Sequence, residues 1–261
     1  MPPAPKQPTA RTGRNRNLLL AITAAGLVAA ALIAASILST SDDDKDPAGT
    51  TIAAAPTDSV PTDSVPTGTP SNAGALLAGI PQQGTVLGSP KATVRMLQFE
   101  DLQCPICKEF TDDAFPAIVE EYVRPGRVRI DFRGLAFLGP DSEKALRIAV
   151  AAGHQDKLWD VVELFYAEQG EENSGWVTDA KIDAILAQVP GLDGAKVKID
   201  ARSAAVTKEI AAVQAQATAL EVQGTPWFYL GFGLNQPYEI RPQSLTPGAF
   251  RPALDQALRG S

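Results

Sequence analysis

Histidine occurs once in this chain of 261 residues, and cysteine only twice. A structural zinc site usually takes four Cys or His ligands, so this inventory leaves almost no room for one. Two cysteines also exclude a small domain stapled by several disulfides. Basic residues number 23 against 30 acids, a net charge of -7, which argues against nucleic acid as the main partner. No phosphate-binding glycine loop, HExxH or Gly-x-Ser-x-Gly occurs, which weakens nucleotide, zinc-protease and serine-hydrolase readings. Nothing in the pattern calls for a cofactor or a metal. Hydrophobic residues make up 44%, enough to exclude a wholly disordered chain and to build a sizeable core.

The charge is unevenly placed. Residues 1–17 carry Lys6, Arg11, Arg14 and Arg16 and no acid, whereas residues 40–74 set six acids against Lys45. Between them Leu18 to Leu38 runs without a charge, its only polar residues being Thr23 and Ser36. As a helix this stretch spans about 31 Å, close to the ~30 Å hydrocarbon core of a bilayer. A cleaved leader with Ala34-Ala35-Ser36 as its processing site is the competing reading, but leader apolar regions usually run only ~7–15 residues. Length favours a retained single-pass anchor. Arginines before it and Asp42, Asp43 and Asp44 after it place the N-terminus in the cytoplasm and the body outside. No cysteine lies near this segment, which rules out a lipid-modified N-terminus. Residues 39–74, rich in Pro, Thr, Ser and Asp with a tandem Pro-Thr-Asp-Ser-Val at 56–65, are expected to form a flexible tether.

The folded body is expected over 75–261. Thr93 to Phe99 reads as a short, mostly buried strand. Pro105 opens a helix reaching about Tyr122, with a kink expected at Pro116. Val128, Ile130 and Phe132 alternate with Arg129, Asp131 and Arg133, the pattern of a half-buried strand. Residues 139–223 read as helical, with breaks near Gly153, Gly170–Gly175 and Pro190–Gly194, the last helix running from about Ala204 to Glu221. Trp227 to Phe232 gives an apolar strand, Tyr238–Arg241 a second, and Thr246-Pro247 caps a closing helix. The order β-α-β, helical block, β-β-α is that of an α/β thioredoxin-like core with a helical insertion. Within the insertion, His154 is expected at a helix end or on the surface. Trp159, Phe165, Tyr166 and Trp176 are expected to fill the helical core.

The two cysteines stand as Cys104-Pro105-Ile106-Cys107, where the first strand gives way to the helix. At a helix N-terminus the unpaired amides and the dipole stabilise an anion, so Cys104 is expected to be an exposed thiolate nucleophile. Cys107, nearly one turn inside, is expected to be the covered resolving thiol. A structural disulfide is the bland alternative, but closing so short a loop restricts the unfolded chain little. The spacing at a strand-to-helix junction favours redox exchange. Gly224-Thr225-Pro226 precedes the late strand, where a proline withholds one ladder donor. In a thioredoxin-like core this Pro226 is expected to be cis and to face the dithiol, with Thr225 offering backbone groups to an extended substrate segment.

These stretches, with Gly79-Ile80-Pro81-Gln82, Asp101-Leu102-Gln103 before Cys104, and Gln169-Gly170-Glu171-Glu172-Asn173-Ser174-Gly175, resemble the DsbA-like family of exported thiol-disulfide oxidoreductases. The likeness is greatest to its membrane-anchored form in Gram-positive bacteria and covers roughly residues 75–261. It implies Cys104 as nucleophile, Cys107 as resolving thiol, Pro105 and Ile106 between them, and Pro226 as the cis-proline. It also implies exported proteins with free thiols or disulfides as substrates, and a membrane partner that reoxidises the dithiol. One departure stands out. Family members commonly carry a buried acid six residues before the first cysteine, to take the resolving thiol's proton, and that position is Gln98 here. With no carboxylate there, resolution by Cys107 is expected to be slow. Glu100 or Asp101 can substitute through water, or both can be solvated loop acids. An extracytoplasmic body favours a disulfide-forming oxidase, acting through a Cys104–Cys107 disulfide. Ile106 gives no hydrogen bond to the thiolate, unlike the histidine of strongly oxidising relatives, so a reductase or isomerase is the alternative. A non-enzymatic tethered binding module is the reading from another class.

Overall fold

The computed structural model describes residues 73–232 and 236–261. The basic segment 1–17 and the anchor 18–38 lie outside the described residues, as does the tether except for Ala73 and Gly74, which open the first helix, α1 (Ala73–Leu77). Among the described residues no helix is long and apolar enough to cross a membrane.

A short hairpin follows, β1 (Gln82–Gln83) and β2 (Val86–Leu87), and then β3 (Val94–Glu100). α2 (Pro105–Asp113) leads through Ala114 into α3 (Phe115–Ile118), which passes into a π-helical turn at Val119–Val123. The expected single kinked helix is thus broken. Pro116 has no N–H to give the Asp112 carbonyl and its ring crowds the preceding turn, so the helix restarts instead of bending. β4 (Val128–Gly134) completes the first β-α-β unit and lies parallel to β3. The insertion holds α4 (Pro140–Gly153), α5 (Leu158–Ala167), α6 (Asp179–Ala187), α7 (Gly194–Asp200) and α8 (Ala204–Ala219). Three of its breaks, at 154–157, 168–178 and 188–193, fall at or beside the expected glycines and Pro190, and a fourth at 201–203 was not expected. β5 (Trp227–Phe232), β6 (Tyr238–Ile240) and α9 (Pro247–Arg259) close the chain.

The six strands form one sheet in the order β1-β2-β4-β3-β5-β6, with β3 and β4 its parallel pair. β3 is central and covered on both faces, which is why it reads as a nearly continuous apolar run. Successive residues of a strand point to opposite faces. Val94 and Met96 join the main core with Phe110, Trp159 and Phe250. Leu97 and Phe99 join a smaller cluster with Tyr229 and with Ala217 of α8. Trp159, Phe165 and Tyr166 are buried in the main core, and Trp176 packs against it. His154 caps the end of α4, and its Nε2 lies 3.0 Å from Glu209 at the surface. Thr246 holds the N-cap position of α9 with Pro247 in its first turn, but its hydroxyl pairs with Ser244 and does not cap.

Candidate active site

Cys104 is the N-cap of α2, with φ -70° and ψ 117°, and its Sγ accepts from the Cys107 N–H at 3.4 Å. Pro105 fills the first helical position, where its missing N–H costs nothing. Both cysteines carry free thiols. A hydrogen bond from the Cys107 thiol, with further ones from Thr225 and from the Cys107 and Ile106 amides, draws the Cys104 pKa down to about 6 against the pull of burial. Burial pushes the Cys107 thiol well above its ordinary value, and its bond to Cys104 pushes the same way. One correction concerns access. Cys104 is only 6% exposed and Cys107 fully covered, while Ile106 between them is 49% exposed. The nucleophile lies beneath the surface because the loop carrying Thr225 folds over it.

That asymmetry has a direct readout. Iodoacetamide is expected to alkylate Cys104 with a rate that rises through a midpoint near pH 6. Cys107 is expected to react at least about tenfold more slowly at neutral pH, because burial holds it as the unreactive thiol. Peptide mass spectrometry after timed quenching gives both rates, and equal modification of the two thiols would remove the asymmetry.

Across the site the Thr225–Pro226 peptide bond is cis. The Thr225 carbonyl sits 3.4 Å from the Cys104 sulfur and accepts from its thiol form. The two residues border a groove of about 360 Å3 with Ile106, Trp227, Arg241 and Leu245 among its walls. The Arg241 guanidinium lies 5.1 Å over the Trp227 ring and pairs with Glu239. The groove therefore offers an apolar floor with one charged pair, beside backbone groups of an irregular loop. An extended peptide segment suits such a surface.

The three residues proposed for proton traffic have different fates. Gln98 and Glu100 point to the same face of β3, two positions apart, and both are buried. Glu100 is no solvated loop acid. It is 0% exposed, burial pushes its pKa well above the ordinary value, and its Oε2 accepts from the Tyr166 hydroxyl at 3.1 Å. Its Oε1 and the Gln98 Oε1 are both buried without a partner. Glu100 raises the Cys107 pKa through its charge, so a carboxyl does stand close to the resolving thiol. It sits one strand repeat nearer the cysteines than the position occupied by Gln98. The expectation of a dithiol without a neighbouring carboxyl is corrected accordingly. Asp101 is also fully buried, but its carboxylate is committed. One oxygen accepts from the Gln103 amide at 2.9 Å and the Ser142 hydroxyl at 2.6 Å, and the other from the Phe137 and Leu138 amides at 2.7 and 3.1 Å. Asp101 staples the loop through these four bonds.

The thioredoxin family model matches residues 81–234, a span that includes both cysteines, Thr225 and Pro226. The chain belongs to the DsbA-like thioredoxin-fold family. It is a thiol-disulfide oxidoreductase of that family. The chain is 29% identical over 154 residues to a "Probable disulfide bond formation protein D" of Bacillus cereus, covering 58% of this chain and 71% of that protein. The solved structure of oxidised BdbD from Bacillus subtilis superposes with a TM-score of 0.59 at 21% identity, over 69% of this chain and 98% of that one. The α-DsbA1 of Wolbachia pipientis superposes at 0.58 and 19% identity, over 67% and 91%. At such identities the superpositions establish the shared fold.

In this family member the insertion grips the nucleophile's loop at three consecutive residues. The Gln169 amide donates to the Leu102 and Cys104 carbonyls at 2.9 and 3.3 Å. The buried Gln103 side chain donates to the Leu138 carbonyl and the Ser142 hydroxyl, and accepts from the Asn173 amide at 2.9 Å. Gly139, at φ 106°, lies so close to Asn173 that a Cβ there would sit 2.7 Å from its Oδ1. Sequence reasoning missed these supports. From the sequence Tyr166 reads only as core filling, and Gly170–Gly175 only as a break between helices. The one available signal was that Gln103, Gln169 and Asn173 are polar residues inside stretches shared with the family.

Proposed function

We propose that this chain is a disulfide-forming oxidase of exported proteins, held by residues 18–38 with its body on the extracytoplasmic side. The observation that carries this reading is the unequal dithiol, in which Cys104 is favoured as thiolate and Cys107 as thiol. Favouring the dithiol state makes the corresponding disulfide a stronger oxidant. The name of the Bacillus cereus relative supports the same direction, and the basic residues before the apolar stretch support the orientation.

A substrate thiolate held in the groove beside Pro226 attacks the Sγ of Cys104 in the Cys104–Cys107 disulfide. Cys107 leaves as a thiolate and takes a proton from Glu100, the buried carboxyl at hand. A second substrate thiolate then attacks the substrate sulfur of the mixed disulfide, and Cys104 departs as its stabilised thiolate. The substrate has lost two electrons and the dithiol has gained them. A membrane redox partner accepts those electrons from Cys104 and restores the disulfide. No cofactor enters.

Reduction or isomerisation is the second reading, favoured by Ile106, whose side chain offers the Cys104 thiolate no hydrogen bond. Equilibration with glutathione separates the two. The expected potential lies above the ~-270 mV of thioredoxin, and thiol trapping in cells is expected to find Cys104 and Cys107 mostly as a disulfide. A potential at or below that value, with both thiols free in cells, would move the assignment to a reductase.

A further inference from the structure

Glu100 has no contact with water, yet every change of protonation at Cys107 must eventually be balanced with solvent. A second buried carboxyl lies on the way out. Glu163 of α5 is only 7% exposed. It stands one helical turn before Tyr166, so the two side chains share a helix face, and Tyr166 donates to Glu100. Burial raises the Glu100 pKa first, and the charge of Glu163 adds to that rise. The charges of Asp112 and Lys108 of α2, and of Asp160 of its own helix, act on Glu163. Lys108 and Asp112 form an ion pair at 2.9 Å at the surface. The other helices packed on α5 add no charge there. α1 has no ionisable side chain, and Asp141 and Glu143 of α4 pair with Lys144 and Arg147. On α6 Lys181 pairs with Glu168, Asp183 pairs with Lys198 and Asp179 is exposed at the first turn.

We propose that Glu163 is the outer carboxyl of a two-carboxyl proton path that joins Cys107, through Glu100, to solvent at the seam between α2 and α5. This rests on the exchange reading of the dithiol. Burial beside Asp112 and Asp160 lifts the Glu163 pKa to about 8, so it gains and loses a proton near neutral pH while remaining inside the protein. The path is needed most when the dithiol is reoxidised. With oxidised glutathione as oxidant, the Cys104 thiolate attacks one sulfur and releases one glutathione thiolate. Glu100 passes its proton outward through Glu163 and takes the proton of Cys107. The Cys107 thiolate then attacks the Cys104 Sγ, the mixed S–S bond breaks, and the second glutathione leaves as a thiolate. Two electrons pass from the dithiol to glutathione, and the proton of Cys107 has left by way of the carboxyls.

The test mixes the reduced full chain with oxidised glutathione, quenches in acid, and follows the Cys104 adduct by mass spectrometry from pH 6 to 9. Glu163→Gln keeps the size and neutral form of the side chain but cannot ionise. Adduct formation at Cys104 is expected at the unaltered rate, whereas its resolution at pH 7 is expected to slow roughly tenfold, less than the ~10²–10⁴ supplied by a direct acid–base group. The variant should also lose the rise in resolution rate through pH 8, and Glu163→Asp should keep it. Resolution at the unaltered rate and pH dependence in Glu163→Gln overturns the path. So does an equal slowing of both steps, which marks a structural role. Failure of the unaltered chain to form the adduct would instead sink the exchange reading itself.

Discussion

Cys104→Ser is expected to bring thiol–disulfide exchange down to the uncatalysed background, a loss of roughly 10⁴-fold or more. The hydroxyl fits the N-cap as well as the thiol does, so the fold and the groove should survive. What disappears is the only sulfur positioned to bond with a substrate. Cys107 cannot replace it, because it is fully covered and held as a thiol. Insulin reduction and the oxidative refolding of a reduced disulfide protein both measure the loss. Cells carrying the variant supply the complementary result. If they retain the protein's function, the groove is acting as a tethered binding surface and the dithiol is incidental.

Asp101→Ala is expected to produce the largest loss of stability of any single change near the site. Its carboxylate gathers four donors, the Gln103, Phe137 and Leu138 amides and the Ser142 hydroxyl. Removing it leaves those donors buried or half-buried without acceptors, at a cost of about 3–5 kcal/mol. For a body of this size that corresponds to a fall in Tm of roughly 10 °C. Calorimetry or urea denaturation of the reduced protein checks it. Asp101→Asn is expected to recover little, since its amide would turn a donor towards other donors. A change within a degree or two for Asp101→Ala would show that the loop has another anchor.

The strands were legible because each has a simple burial pattern. β5 begins and ends where its apolar run does. β4 alternates apolar and charged residues in sequence, although the structure buries Asp131 with Thr85 and Arg133 as its partners. The helix start was legible because Pro105 follows a residue able to cap. β1 and β2 were not, since two residues apiece leave no period to read. At the site, the cysteines and Pro226 announce themselves by type and spacing. Glu100 does not. An acid next to another acid before a loop reads as solvated, and only the packing of α5 against the end of β3 reveals that Tyr166 covers it. Gln169 was hidden for a similar reason. Its partners are backbone carbonyls, which any residue at positions 102 and 104 would present.

The thiol of Cys104 and the carbonyl of Thr225 meet across 121 positions of the chain, with the whole helical insertion between them. During synthesis the dithiol therefore leaves the ribosome long before the segment that covers it, and β3 waits for β5 as its second neighbour. Closing so long a loop is an entropic cost met only once the insertion has condensed. Maturation is consequently sequential. A nascent chain has two thiols without a groove to present a substrate to them, and competence arrives with the final strands.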